Sequence, residues 1–135
     1  MSDYLFTYGT LQPGLAPSCI SSAVYKLRSI GEGVIDGGEL YDLGEYPGAV
    51  LNPRSTHQIH GMIFELPNDA DILRQLDDYE GFRPNSPESS LFLRELHPAV
   101  LTTGQTLPCW VYVYNGKPDL TRRLPDGRFR KTSHP

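Results

Sequence analysis

Gln58-Ile59-His60-Gly61-Met62-Ile63-Phe64-Glu65-Leu66-Pro67-Asn68-Asp69-Ala70-Asp71-Ile72-Leu73-Arg74-Gln75-Leu76-Asp77-Asp78-Tyr79-Glu80-Gly81 is the stretch on which the fold turns. Up to Leu66 it has period two: Ile59, Gly61, Ile63 and Glu65 share one face of a strand, and His60, Met62, Phe64 and Leu66 the other. After Pro67 the period becomes helical. Asn68 suits an N-cap, Asp69 and Asp71 suit the positive end of a helix dipole, and Gly81 suits the stop. The spacing predicts a helix from Asp69 to about Glu80.

Upstream, Tyr4-Leu5-Phe6-Thr7-Tyr8 reads as a first strand, ended by the loop Gly9 to Gly14. Ser18 to Leu27 reads as a short helix capped by Ser18. Gly31 to Ile35 and Glu39 to Leu43 read as strands about Gly37-Gly38, and Ala49-Val50-Leu51 follows Tyr46-Pro47-Gly48. Downstream, Pro84 and Pro87 mark a loop from Arg83 to Ser90, and Leu91 to Leu101 and Leu107 to Tyr114 form two long strands joined around Gly104. About six strands and two short helices, without a βαβ alternation, predict an α+β, mainly β fold: a small mixed-strand barrel flanked by short helices.

At 135 residues the chain suits one domain, assigned to residues 1–116. Beyond Asn115-Gly116 the pattern dissolves. Arg122, Arg123, Arg128, Arg130 and Lys131 are interrupted by Asp119 and Asp126, so 117–135 is expected to be a solvated, partly disordered tail. A net charge of −4 argues against a nucleic-acid partner. No apolar run approaches the roughly 20 residues of a membrane span and no signal-peptide pattern opens the chain. Cys19 and Cys109 are too few for a disulfide framework, and their apolar neighbours suggest two buried thiols in a cytoplasmic protein.

For chemistry, the helix offers the clearest physical clue. Counting about 100° per residue from Ile72, Leu76 falls near 40°, Leu73 near 100°, Tyr79 near 340° and Glu80 near 80°. Glu80 thus lies inside the apolar arc, whereas Asp77 (about 140°) and Asp78 (about 240°) fall toward solvent. A carboxyl on an apolar face, at the negative end of a helix dipole, has a raised pKa suited to proton transfer near neutrality. The alternative is a frayed last turn that releases Glu80 into water. Tyr8-Gly9-Thr10-Leu11 is the second candidate, since a glycine at a strand end lets backbone N–H groups approach an anion and Thr10 adds a hydroxyl. The plainer reading is a tight turn requiring positive φ at Gly9. Trp110, Tyr112 and Tyr114 share a strand face, with Tyr114 at the end that could rim a cavity. His57, His60, His97 and His134 lack ligand spacing, so no metal is expected. No nucleophile elbow, cysteine–histidine pair or dinucleotide fingerprint is present.

Tyr8-Gly9-Thr10-Leu11, Tyr46-Pro47-Gly48, Gly61, Leu76-Asp77-Asp78-Tyr79-Glu80-Gly81 and the closing strand Trp110 to Tyr114 together resemble the γ-glutamylcyclotransferase-like family, over about Tyr4 to Gly116. Their form is closer to its γ-glutamylamine branch than to its glutathione-degrading branches. The resemblance implies a cofactor-free barrel, with the catalytic glutamate at Glu80 and the substrate loop at Tyr8, Gly9, Thr10 and Leu11. Tyr114 is added as a pocket residue. It also implies cyclisation of a γ-glutamyl amine or peptide to 5-oxoproline with release of the amine. One departure stands out: where the family pattern has Tyr-x-Arg, this chain reads Phe92-Leu93-Arg94. The alternative function is a non-catalytic small-molecule-binding or interaction protein on the same barrel. The expected partner is a small molecule, not a nucleic acid or membrane.

Overall fold

The computed structural model describes residues 3–9, 11 and 16–129. In chain order the elements are β1 (Tyr4–Thr7), α1 (Ser18–Val24), β2 (Arg28–Asp36), β3 (Gly38–Asp42), β4 (Pro47–Leu51), β5 (Gln58–Glu65), α2 (Ala70–Glu80), β6 (Phe92–Leu101) and β7 (Thr106–Tyr114), with short 3-10 turns at Pro87–Ser89 and Leu120–Arg122. The fold is α+β and mainly β. Five strands close a mixed barrel in the order β1-β5-β2-β6-β7, and β7 returns to β1. The closing pair is parallel, with Tyr4 opposite Cys109 and Leu5 opposite Trp110, and the other barrel pairs are antiparallel. Outside the ring, β4 lies parallel to β7 at Ala49 and Val113 and forms a hairpin with β3.

Period-two patterning serves two apolar layers at once. Phe6, Ile35, Ile59, Ile63, Val111 and Val113 fill one cluster. Their strand neighbours Leu5, Phe64 and Tyr112 face another, shared with Ile20 and Val24 of α1 and Ile72 and Leu76 of α2. A wall covered on both sides must be apolar on both sides, which is why β1 and the Cys109–Tyr114 part of β7 read as nearly continuous hydrophobic runs. Each fully buried side chain of this kind contributes roughly 2 kcal/mol. Gly61 marks the tightest backbone approach in the wall beside the site. A Cβ there would lie 2.2 Å from the Thr7 carbonyl oxygen and 2.8 Å from the Phe6 ring.

Several sequence expectations differ from this structure. The N-cap of α2 is Asp69 rather than Asn68: its carboxylate accepts from the Asp71 N–H at 3.0 Å, one residue further in. The first helix stops at Val24, three residues early, and follows Pro17 with no side-chain cap from Ser18. Cys109 is buried but Cys19 is exposed, because it lies in the first turn of α1 off the buried face of Ile20, Ala23 and Val24. Residues 117–129 do not stand off as a tail. The Leu124 N–H donates to the Leu40 carbonyl at 2.7 Å, the His60 N–H to that of Gly127 at 2.8 Å, and Leu124 and Phe129 pack against the core. The arginines there meet partners supplied by folding: Arg122 pairs with Asp42 at 3.1 Å, and Arg123 reaches His57 Nδ1 at 3.4 Å. Residues 130–135 lie outside the described residues. No helix among the described residues is long and apolar enough to cross a membrane.

Candidate active site

The site forms where the wall splits. β7 pairs with β1 at Cys109 and Trp110 but with β4 at Val113, so β1 and β4 both flank one edge of β7 and leave a gap between them. Tyr8 spans that gap. Its hydroxyl accepts from the Ala49 N–H at 3.2 Å and donates to the Tyr112 carbonyl, taking the place of an interrupted ladder. Burial, and secondly the nearby charge of Glu80, drive the Tyr8 pKa far upward, so its hydroxyl stays protonated.

A cavity of about 300 Å3 opens beside this gap, lined by Phe6 to Gly9 and Leu11 on one side, Glu45 to Pro47 on another, and Tyr79, Glu80, Leu91, Phe92 and Tyr112. No lysine, arginine or histidine is among the described residues lining it. Glu80 is the last residue of α2. Gly81 follows in the left-handed conformation (φ 72°), where a residue without a side chain is unstrained, and caps the helix with its own N–H. Glu80 keeps some surface toward the cavity, yet protein surrounds the carboxyl closely enough that burial pushes its pKa up to about 7. It therefore exchanges a proton near neutrality, the property required of one group acting as base and then acid.

The buried face of α2 is rotated from the one its apolar residues suggest. Ile72, Leu76 and Asp77 are its buried residues, Leu73 is half-buried, and Tyr79 is exposed at the cavity mouth. The arc thus runs from about 0° to about 140°, and Glu80 near 80° lies at its centre. Asp77, expected toward solvent, is instead held by Arg94 Nε at 2.8 Å and Nη2 at 3.4 Å and by the Tyr112 hydroxyl at 2.7 Å. Arg94 lies against the Trp110 ring (4.3 Å) and the Phe82 ring (5.5 Å). The sequence reading missed Asp77 as an anchor, because its partners lie 17 and 35 residues further along the chain.

Of the residues named from sequence, Glu80, Tyr8, Gly9 and Leu11 come together on one cavity. Thr10 lies outside the described residues. Tyr114 does not line the cavity. Its ring packs against Phe92 at 5.7 Å, and Phe92 in turn meets Tyr46 at 6.0 Å. Phe92 is thus the lining residue, at the position where the resemblance led one to expect tyrosine. Gly9 is not among the glycines with positive φ, so the turn explanation gives way to packing: a Cβ there would lie 3.1 Å from Pro47 Cγ. Thr7 was not anticipated. It lines the cavity, and its buried hydroxyl has no hydrogen-bond partner. Among the described residues no three His, Cys, Asp or Glu are placed to share a metal ion.

The sequence matches the model of the Gamma-glutamyl cyclotransferase, AIG2-like family over residues 5–131, and the chain belongs to that family. No curated protein matches the chain in sequence. Among solved structures it is similar to an AIG2-like protein from Mus musculus, at 22% identity and a TM-score of 0.73 over 96% of this chain and 88% of that one. It is also similar to the protein ytfP from Escherichia coli, at 24% identity and a TM-score of 0.61 over 93% of this chain and 95% of that one. A gamma-glutamyl cyclotransferase aligns at 13% identity and a TM-score of 0.62 over 84% of this chain and 67% of that one. At these identities the likenesses establish the fold.

Proposed function

We propose that the protein is a cyclotransferase that converts a γ-glutamyl amine or γ-glutamyl peptide into 5-oxoproline and the free amine. The observation that carries the reading is Glu80: a carboxyl on a cavity wall, raised to about 7, with no cation among the described lining residues. The substrate's α-amino nitrogen attacks its own γ-carbonyl carbon and closes a five-membered ring. Ionised Glu80 takes the proton that this nitrogen must lose. The resulting carboxylic acid returns the proton to the amide nitrogen as the C–N bond breaks, and 5-oxoproline and the amine leave. No enzyme nucleophile enters, because the nucleophile belongs to the substrate. Folding the substrate so that amine and carbonyl meet supplies much of the acceleration. The loop Tyr8 to Leu11 receives the glutamyl carboxylate, and Phe92, Tyr46 and Leu91 form an apolar wall for the amine half. Two free cysteines suit a reducing, cytoplasmic setting.

The experiment is release of 5-oxoproline from a panel of γ-glutamyl amines and peptides by wild type and Glu80→Gln. Glutamine keeps the shape but cannot exchange the proton, so a loss of at least about 10²-fold in rate is expected. A wild type inert on the whole panel, or a variant that turns over like it, refutes the reading. In the first case the family fold serves here only to bind a small molecule.

A further inference from the structure

We propose that Asp77, Arg94 and Tyr112 form a positioning clamp that holds the last turn of α2 against the barrel and keeps the Glu80 carboxyl in the cavity. The inference rests on reading Glu80 as the acid–base group. Glu80 ends its helix, where backbone carbonyls lack helical partners and turns fray readily. Something must hold that turn, because a frayed one would return the carboxyl to water.

Asp77, three residues earlier, is gripped at both its side chain and its main chain. Its carboxylate takes Arg94 of β6 and the Tyr112 hydroxyl of β7, and its carbonyl accepts from the Phe82 N–H at 2.9 Å, just past the cap. Arg94 is fixed in turn against the Trp110 and Phe82 rings. The clamp therefore joins α2, the residues after it and two adjacent strands through one mostly buried pair, with side chains 9% and 16% exposed. A buried ion pair is a poor source of stability, since apolar residues of similar size commonly replace it without loss. What it supplies better than apolar packing is direction: a bidentate guanidinium admits one carboxylate geometry. Tyr112 links the clamp to the chemistry, because it also lines the cavity. The ionisable groups around Glu80 are Tyr8 just past β1, Tyr112 from β7, Glu45 and Tyr46 on the cavity wall, and Asp77 and Tyr79 on α2 itself.

The test replaces both partners together, Asp77→Leu with Arg94→Met, so that opposite charges leave at once and the field at Glu80 changes little. The double variant is expected to melt cooperatively within a few degrees of wild type. Its kcat should fall at least tenfold while KM changes by less than about threefold, the pattern of a misdirected proton-transfer group. Carbon-13 NMR titration of Glu80 gives a readout that needs no substrate. The midpoint, expected at about 7 in the wild type from its burial, should drop by a unit or more toward the ordinary range as the carboxyl gains water. A folded double variant with wild-type kcat and an unmoved midpoint overturns the proposal. If the double variant does not fold, Tyr112→Phe removes only the hydroxyl bond to Asp77, and an unmoved Glu80 midpoint there overturns it equally. A midpoint that shifts as expected, in a protein that makes no 5-oxoproline, supports the clamp and removes the cyclotransferase reading.

Discussion

Glu80→Gln, the variant expected to lose turnover, is also expected to be more stable than wild type at pH 8. In the fold the Glu80 carboxyl is raised from its ordinary 4.5 to about 7 by burial. An acid raised in this way holds its proton more tightly folded than unfolded, so between those two values the folded chain binds more protons. Stability therefore falls as pH rises through that window. Below about 4.5 both forms are protonated and the penalty is absent; above about 7 both are ionised and it is complete. The gap between the two values, at about 1.4 kcal/mol for each pH unit, gives about 3 kcal/mol as an upper figure, since Glu80 keeps some surface toward the cavity. With unfolding entropy near 2.1 cal/mol/K per residue, a chain this size gains about 10 °C in melting temperature. Glutamine carries no charge at any pH, so any unrelated cost of the amide is the same throughout and cancels in the comparison. The assay is calorimetric melting of both proteins at pH 4.5 and pH 8. A difference in melting temperature that is the same at both pH values would refute the argument, because burial would not then be acting on the ionised carboxyl.

Tyr8→Phe should cost about 2–3 kcal/mol, because the Ala49 N–H and the Tyr112 carbonyl both lose the hydroxyl that joins them; chemical denaturation at neutral pH measures it, and a loss below about 0.5 kcal/mol contradicts the bridging role. Gly61→Ala should cost about 3 kcal/mol, since the added Cβ meets the Thr7 carbonyl at 2.2 Å and neither backbone can move freely within its ladder. Near wild-type melting of that variant would show that the two strands are not so closely apposed. Thr7→Val should stabilise by about 1 kcal/mol, as it replaces a buried hydroxyl without a partner by a methyl of the same shape. A destabilised valine variant, by the same denaturation assay, would mean that the hydroxyl is hydrogen-bonded after all.

Local periodicity carried the barrel and the inward face of α2, because both depend on neighbours two, three or four residues away. The helix wheel placed Glu80 inside because Ile72 and Leu76 define the arc. It placed Asp77 outside because a wheel weighs side chains by hydropathy. Asp77 is buried only through Arg94, 17 residues on, and Tyr112, 35 residues on. No local pattern contains those pairings. Residues 117–129 were misjudged for the same reason: Arg122 and Arg123 look solvated until β3 and the start of β5 bring Asp42 and His57 to them. Tyr8 was legible as a site residue, but its hydroxyl's bridging role depends on β1 and β4 sharing one edge of β7, which is a property of topology. Phe92 is legible as a departure from the family pattern, whereas its place on the cavity wall depends on the fold.

Anchor, acid and stop follow one another on α2 within five residues, Asp77 to Gly81. Their relation is set by counting along a helix rather than by side-chain size. One residue inserted between Asp77 and Glu80 would turn the carboxyl by about 100° and advance it by about 1.5 Å, off the cavity and away from its support. The interval between them therefore tolerates no change of length. On the proposed reading, variation in substrate choice falls instead to Tyr46, Leu91 and Phe92, which line the cavity from outside α2. A library built to alter selectivity should vary those three positions and leave the run from Asp77 to Gly81 untouched.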